Sequence, residues 1–205
     1  MAGPFSLVKV QTVLGTVLES ERQTHYGSVG VAIHWATAVV VLFAFVYSPG
    51  GSEQRVYSAT RDFDRQLHET LGIIVFVLAI ARVLWRSKAR TPDRPPMPLW
   101  MAISSRTIQA ALYVLLFALP ITAITGAWLE GHPLTMLAGL TINPLIGESH
   151  PIGAIVADIH TWLGDAIMWL AGVHSLAALY HHFVLKDDVL SSMLPHRPNT
   201  PRLFR

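Results

Sequence analysis

Four segments of this chain, residues 29–47, 68–85, 107–129 and 160–185, are sparsely charged and long enough to cross a bilayer. About 20 apolar residues in helical form span the ~30 Å of hydrocarbon. Inside it, only a helix or a closed barrel satisfies its own backbone. Composition agrees with a lipid-solvated chain: 52% of the 205 residues are hydrophobic and 14% charged, against ~25% charged in soluble domains. Mean hydropathy is +0.43. The expected fold is therefore all-α, an integral membrane four-helix bundle.

The connections set the orientation, because lysine and arginine are retained on the cytoplasmic side. Arg86, Lys88, Arg90, Arg94 and Arg106 lie between the second and third segments, and Lys186, Arg197, Arg202 and Arg205 follow the fourth. The third connection, 130–159, has neither lysine nor arginine. Both termini are thus expected in the cytoplasm. The first connection, with Arg55, Arg61 and Arg65 against Glu53, Asp62 and Asp64, contributes little to this vote.

Residues 2–18 place Leu7, Val10, Leu14 and Val17 near one helical face, and an interfacial helix is one reading of them. They lack the basic start and small-residue cleavage site of a signal peptide. The proline-rich stretch 91–98 reads as a stiff connector, Pro120 as a kink in the third helix, and the proline-interrupted third connection as a cap on the outer surface. A net charge of +2, without a basic stripe, excludes nucleic acid as a partner. The absence of cysteine removes disulfides, iron–sulfur clusters and covalent haem attachment together.

Histidine remains as the candidate metal ligand, and imidazole in a membrane helix is costly unless it is paired or bound. His160 and His174 are 14 residues apart, which is ~21 Å of rise and within ~40° of one helical face. One helix can thus offer an axial ligand to each of two stacked haems. His68 opens the second span on the side where His160 opens the fourth, and His34 lies at the depth expected for His174. The outer pair is His68 with His160, and the inner pair is His34 with His174. His181, seven residues beyond His174, lies ~31 Å from His160 and falls among the head groups. For His181 and His182 solvation at the interface is the preferred reading, with a haem propionate or quinone contact as the alternative.

Gly72 and Gly164 each follow an outer ligand by four residues and share its face, leaving the clearance that a porphyrin plane needs. Arg82, 14 residues after His68, is either a propionate partner at the inner depth or a snorkelling cation. Asp165 is the clearest carboxylate in the fourth span; orienting a ligand, relaying a proton and reaching the outer interface are its open readings.

These residues resemble the bacterial di-haem cytochrome b561 family. The resemblance runs through Ala32-Ile33-His34-Trp35, Leu67-His68-Glu69-Thr70-Leu71-Gly72, and Arg82-Val83-Leu84-Trp85-Arg86. It continues through residues 111–117 and closes most specifically on His160, His174, residues 178–183 and Lys186-Asp187-Asp188. It covers roughly residues 26–195, leaving 1–25 as an extension and 196–205 as a tail. Where some relatives open the third span with further histidines, this chain has Ser105-Arg106-Thr107-Ile108-Gln109.

The resemblance implies two haem b groups per chain, held by His34 with His174 and by His68 with His160. It also implies a multi-pass protein of the bacterial inner membrane that passes electrons from a superoxide or quinol-type donor to a quinone-type acceptor, as an oxidoreductase or electron carrier. The rival expectations are a cytochrome b anchor for a larger dehydrogenase or hydrogenase, and a transporter of metal or protons.

Overall fold

The computed structural model describes residues 27–50, 53–89 and 97–194. Four long helices cross it: α1 Ser28–Val46, α2 Asp62–Lys88, α3 Leu99–Leu129 and α4 His150–Tyr180. All four are long and apolar enough to span a membrane. The expectations for residues 1–25, for most of the 91–98 connector and for the tail beyond Leu194 lie outside the described residues.

Three of the helices begin well before the segments expected from the sequence. The first turn of α2 carries Asp62 and Asp64 and its last carries Arg86 and Lys88, both complementing the helix dipole. The start of α3 is Leu99, directly after Pro98. α4 opens at His150, ten residues before His160, with Pro151 in its first turn, where a missing N–H is harmless. The third connection is accordingly shorter than expected, running from Glu130 to Ser149. The buried Pro120 lies inside α3, which is helical on both sides of it.

Each helix packs on its sequence neighbour, α3 against α4 most extensively. Glycine permits that approach: a Cβ at Gly126 would lie 3.5 Å from the Ala157 backbone nitrogen, and one at Gly153 only 2.7 Å from Glu130 Cγ. Val75 and Ala79 of α2, Leu115 and Leu116 of α3 and Ile167 of α4 form the buried layer, with Val40 and Val41 of α1 packed against it. Between lipid-solvated helices the hydrophobic effect supplies little drive, so shape-matched van der Waals contact holds this layer. The outward faces are apolar instead, with Trp162 and Trp169 of α4 75% and 79% exposed.

Residues 134–142 fold into a small hairpin in which Leu134 pairs with Ile142 and Thr135 with Thr141. Its turn uses positive φ at both Ala138 and Gly139. Leu134 and Met136 turn inward and are buried, so the hairpin is a cap seated on the bundle end. Beyond α4 a π-helical turn, His181–Leu185, ends on Lys186 in the left-handed region.

Candidate functional site

Helix α4 runs antiparallel to α1 and parallel to α2, and a histidine pair stands at each of two levels. The His34 and His174 rings have centroids 6.4 Å apart and planes at 83°. Those of His68 and His160 are 6.1 Å apart at 87°. Ile167, seven residues from each α4 histidine, sits in the buried layer between the two pairs.

At the second pair the ring orientation is fixed by backbone. His68 Nδ1 donates to the Ala44 carbonyl at 2.7 Å, and His160 Nδ1 donates to the Leu119 carbonyl at 3.0 Å. A carbonyl only accepts, so the proton sits on Nδ1 and the Nε2 lone pair is free. This is the arrangement by which proteins orient metal-ligating histidines.

At the first pair, Arg82 Nη1 donates to His34 Nδ1 at 2.7 Å. Arg82 Nε donates to the Tyr113 hydroxyl at 2.8 Å, and the guanidinium lies over the Tyr113 ring. Arg82 therefore reaches inward to this pair and does not snorkel away from it. Tyr113 falls in the 111–117 stretch of the resemblance, but its contact with Arg82 joins separate helices and carries no spacing signal.

The donor set suits a haem iron. An imidazole nitrogen lies ~1.1 Å from its ring centre and ~2 Å from a first-row metal, so two axial imidazoles on one iron have centres ~6 Å apart. Both pairs have this spacing. A Cβ built at Gly72 or Gly164 meets nothing within 4 Å, so both positions are open. No group of three or more His, Asp or Glu side chains suited to a bare metal ion occurs among the described residues.

Other candidate residues are placed differently. His181 is not solvated: its Nδ1 donates to the Asp187 carboxylate at 2.5 Å, and its side chain is only 12% exposed. Asp187 can fold back to it because the π-helical turn and the left-handed Lys186 reverse the chain. His182 is exposed. Asp165 is exposed on the side of α4 away from both pairs, so it orients neither.

A clamp that the sequence reading missed joins the cap to α2 beside His68. Glu69 accepts the Thr135 backbone N–H at 2.5 Å and pairs with Arg65 at 2.9 Å. Arg65, buried, also bonds Asp62 and the Thr135 hydroxyl and lies over Tyr57. Thr70 accepts the Leu137 N–H at 3.0 Å. The Arg65–Glu69 pair does carry a sequence signal, the i,i+4 spacing of opposite charges.

The first connection joins the same cluster. His132 stacks on Tyr57 at 3.5 Å and donates to Glu53 at 2.8 Å. Burial, and then the nearby Glu69 and Glu130 carboxylates, push the Tyr57 hydroxyl above its ordinary pKa. Burial and then Glu53 push Glu130 up.

Residues 25–196 match the profile of the prokaryotic cytochrome b561 family. The chain belongs to that family. It is 28% identical over 172 residues to cytochrome b561 homolog 2 of Escherichia coli (strain K12), covering 82% of this chain and 90% of the relative. It is 28% identical over 176 residues to a probable superoxide oxidase, CybB, of Yersinia pestis, covering 84% and 97%. Cytochrome b562 of Cereibacter sphaeroides is 29% identical over 182 residues, covering 86% and 99%. Members of the cytochrome b561 family bind haem b, and the chain is a multi-pass inner-membrane protein of electron transfer.

Breaking the clamp tests its role. Removing one partner of a buried ion pair costs ~3 kcal/mol. Glu69→Ala is therefore expected to raise amide exchange at Thr135 about a hundredfold and to open the cap to protease, with Asp158→Ala as the unaffected control. Unchanged exchange at Thr135 would show that the clamp does not hold the cap.

Proposed function

We propose that the chain carries electrons across the membrane through two b-type haems, one axially held by His34 and His174 and the other by His68 and His160. The observation that carries this reading is the ~6 Å spacing of both pairs, with Nδ1 of His68 and His160 tied to backbone carbonyls. Bound there, the irons would supply the one-electron redox step.

The chain's own residues do the rest. The two carbonyl bonds hold the rings in the coordinating tautomer, and Gly72 and Gly164 leave room beside them. The layer around Ile167 excludes water between the two sites and keeps them ~21 Å apart along α4. Arg82 donates to His34 Nδ1, a bond that ligation through Nε2 would displace, because the ligating ring carries its proton on Nδ1. The guanidinium would then turn to a propionate carboxylate, its stronger partner.

The two ends differ in charge. Arg86, Lys88, Arg106 and Lys186 flank the His34–His174 end, which supports a cytoplasmic location for it and for both termini. Around the cap, three arginines (55, 61 and 65) face seven carboxylates, those of Glu53, Asp62, Asp64, Glu69, Glu130, Glu148 and Asp158. A net acidic face repels an anion during diffusional encounter. This favours an uncharged quinol-type donor over superoxide at the outer end, with a quinone-type acceptor at the inner end.

Two experiments test the reading. His68→Ala or His160→Ala is expected to remove one haem and leave the other, with His34→Ala or His174→Ala removing the complementary one. Arg82→Gln should keep both and lower the potential of the inner haem. Loss of the same haem from His68→Ala and His174→Ala would contradict the pairing.

For the donor, reduction by a short-chain quinol should be insensitive to salt between about 10 and 200 mM, and reduction by superoxide should be slower and speed up with salt. Superoxide reacting faster, with a rate that falls as salt is added, would reverse the assignment.

A further inference from the structure

Helix α4 gives one histidine to each pair, which fixes its inward face, and Asp165 lies opposite. It is two positions before the buried Ile167, ~160° around the helix. Its carboxylate is exposed and has no hydrogen-bond partner among the described residues.

Its depth follows from the charged ends of α2. Arg65 and Arg86 are ~31 Å apart along that helix, about one hydrocarbon thickness. His68 lies ~5 Å inside Arg65, His160 stands level with His68, and Asp165 is ~7.5 Å further in. The carboxylate is therefore ~4 Å from the middle of the apolar layer, facing outward. Ionisable groups at that depth face protein or water, since lipid offers them no partner.

The residues beside Asp165 indicate what covers it. Trp162, three residues before, and Trp169, four after, are 75% and 79% exposed, and their indole N–H groups are unpartnered among the described residues. The neighbouring hydroxyls are already used, Thr161 donating to the Ala157 carbonyl and Ser175 to that of Ala171. Gly172 leaves an open notch on the same stripe, with nothing within 4 Å of a Cβ there. One stripe thus holds an acceptor between two free donors, together with room for close approach. A surface that carries both halves of its own hydrogen bond suits a two-fold contact with itself.

We propose that the outward face of α4 is the seam of a homodimer in the membrane, in which Asp165 accepts the indole N–H of the partner subunit's Trp169. The seam places α4 of each copy back to back, with the histidine pairs on the far sides. It does not depend on what the histidines hold.

The chain has no cysteine, so single introduced cysteines report cleanly. In native membranes, oxidation of Leu176→Cys, on the stripe, is expected to give a disulfide-linked dimer. Val114→Cys, on an equally exposed face of α3, should stay monomeric. Adding Asp165→Leu or Trp169→Phe to Leu176→Cys should lower the dimer yield about fivefold, the size of one interhelical hydrogen bond in lipid. Trp169→Phe removes only the donor and keeps the ring, so it reads out the bond even where Asp165→Leu disturbs insertion. A monomeric Leu176→Cys chain, equal crosslinking from Val114→Cys, crosslinking to a different protein, or a yield unchanged by Trp169→Phe would each overturn the proposal.

Discussion

A buried imidazole in hydrocarbon has two nitrogens to satisfy, and the arrangement of this bundle follows from that requirement. A carbonyl takes one nitrogen of His68 and one of His160, and the other nitrogen of each ring has no hydrogen-bond partner among the described residues. Ala44 near the end of α1 and Leu119 beside Pro120 in α3 supply those carbonyls, so all four helices take part in a site whose rings come from two. Repacking α1 or α3 would release an imidazole N–H into a medium with no replacement acceptor. The positions of the helices are thus bound to the positions of the rings.

The two ends of the bundle treat their histidine pairs differently. At the basic end, Arg82 and Tyr113 bring a cation and a hydroxyl up to His34 from the side. At the acidic end the access is structured from above, where the hairpin is pinned by Glu69 and Thr70 and the first connection by His132. Arg65 links these parts and its charge is balanced within the cluster, which keeps that end net negative. A redox protein that spans the membrane needs such a difference to give its two faces different partners.

Much of this was legible in the sequence, and the gaps have physical causes. The four spans stand out because lipid demands long uncharged runs, and the histidines sort into two levels because helical rise converts spacing into depth. The extra turns of α2 and α4 were missed because hydropathy is blind to helices opening on Asp62 or on His150-Pro151. The hairpin at 134–142 was missed because two-residue strands carry no alternation, and its turn places Ala138 at positive φ without a glycine's signature. His181 read as solvated because its partner, Asp187, is reached only through a π-helical turn. Asp165 could be placed at depth, but its outward direction depends on which face of α4 the other helices cover.

The central claim is that one chain holds two bis-histidine haems, and the most direct measurement is haem b per chain in the purified native protein, combined with a reductive titration. The account expects two haems per chain, titrating as two low-spin b-type components. A single haem per chain, or haem with an exchangeable or non-histidine axial ligand, would contradict it.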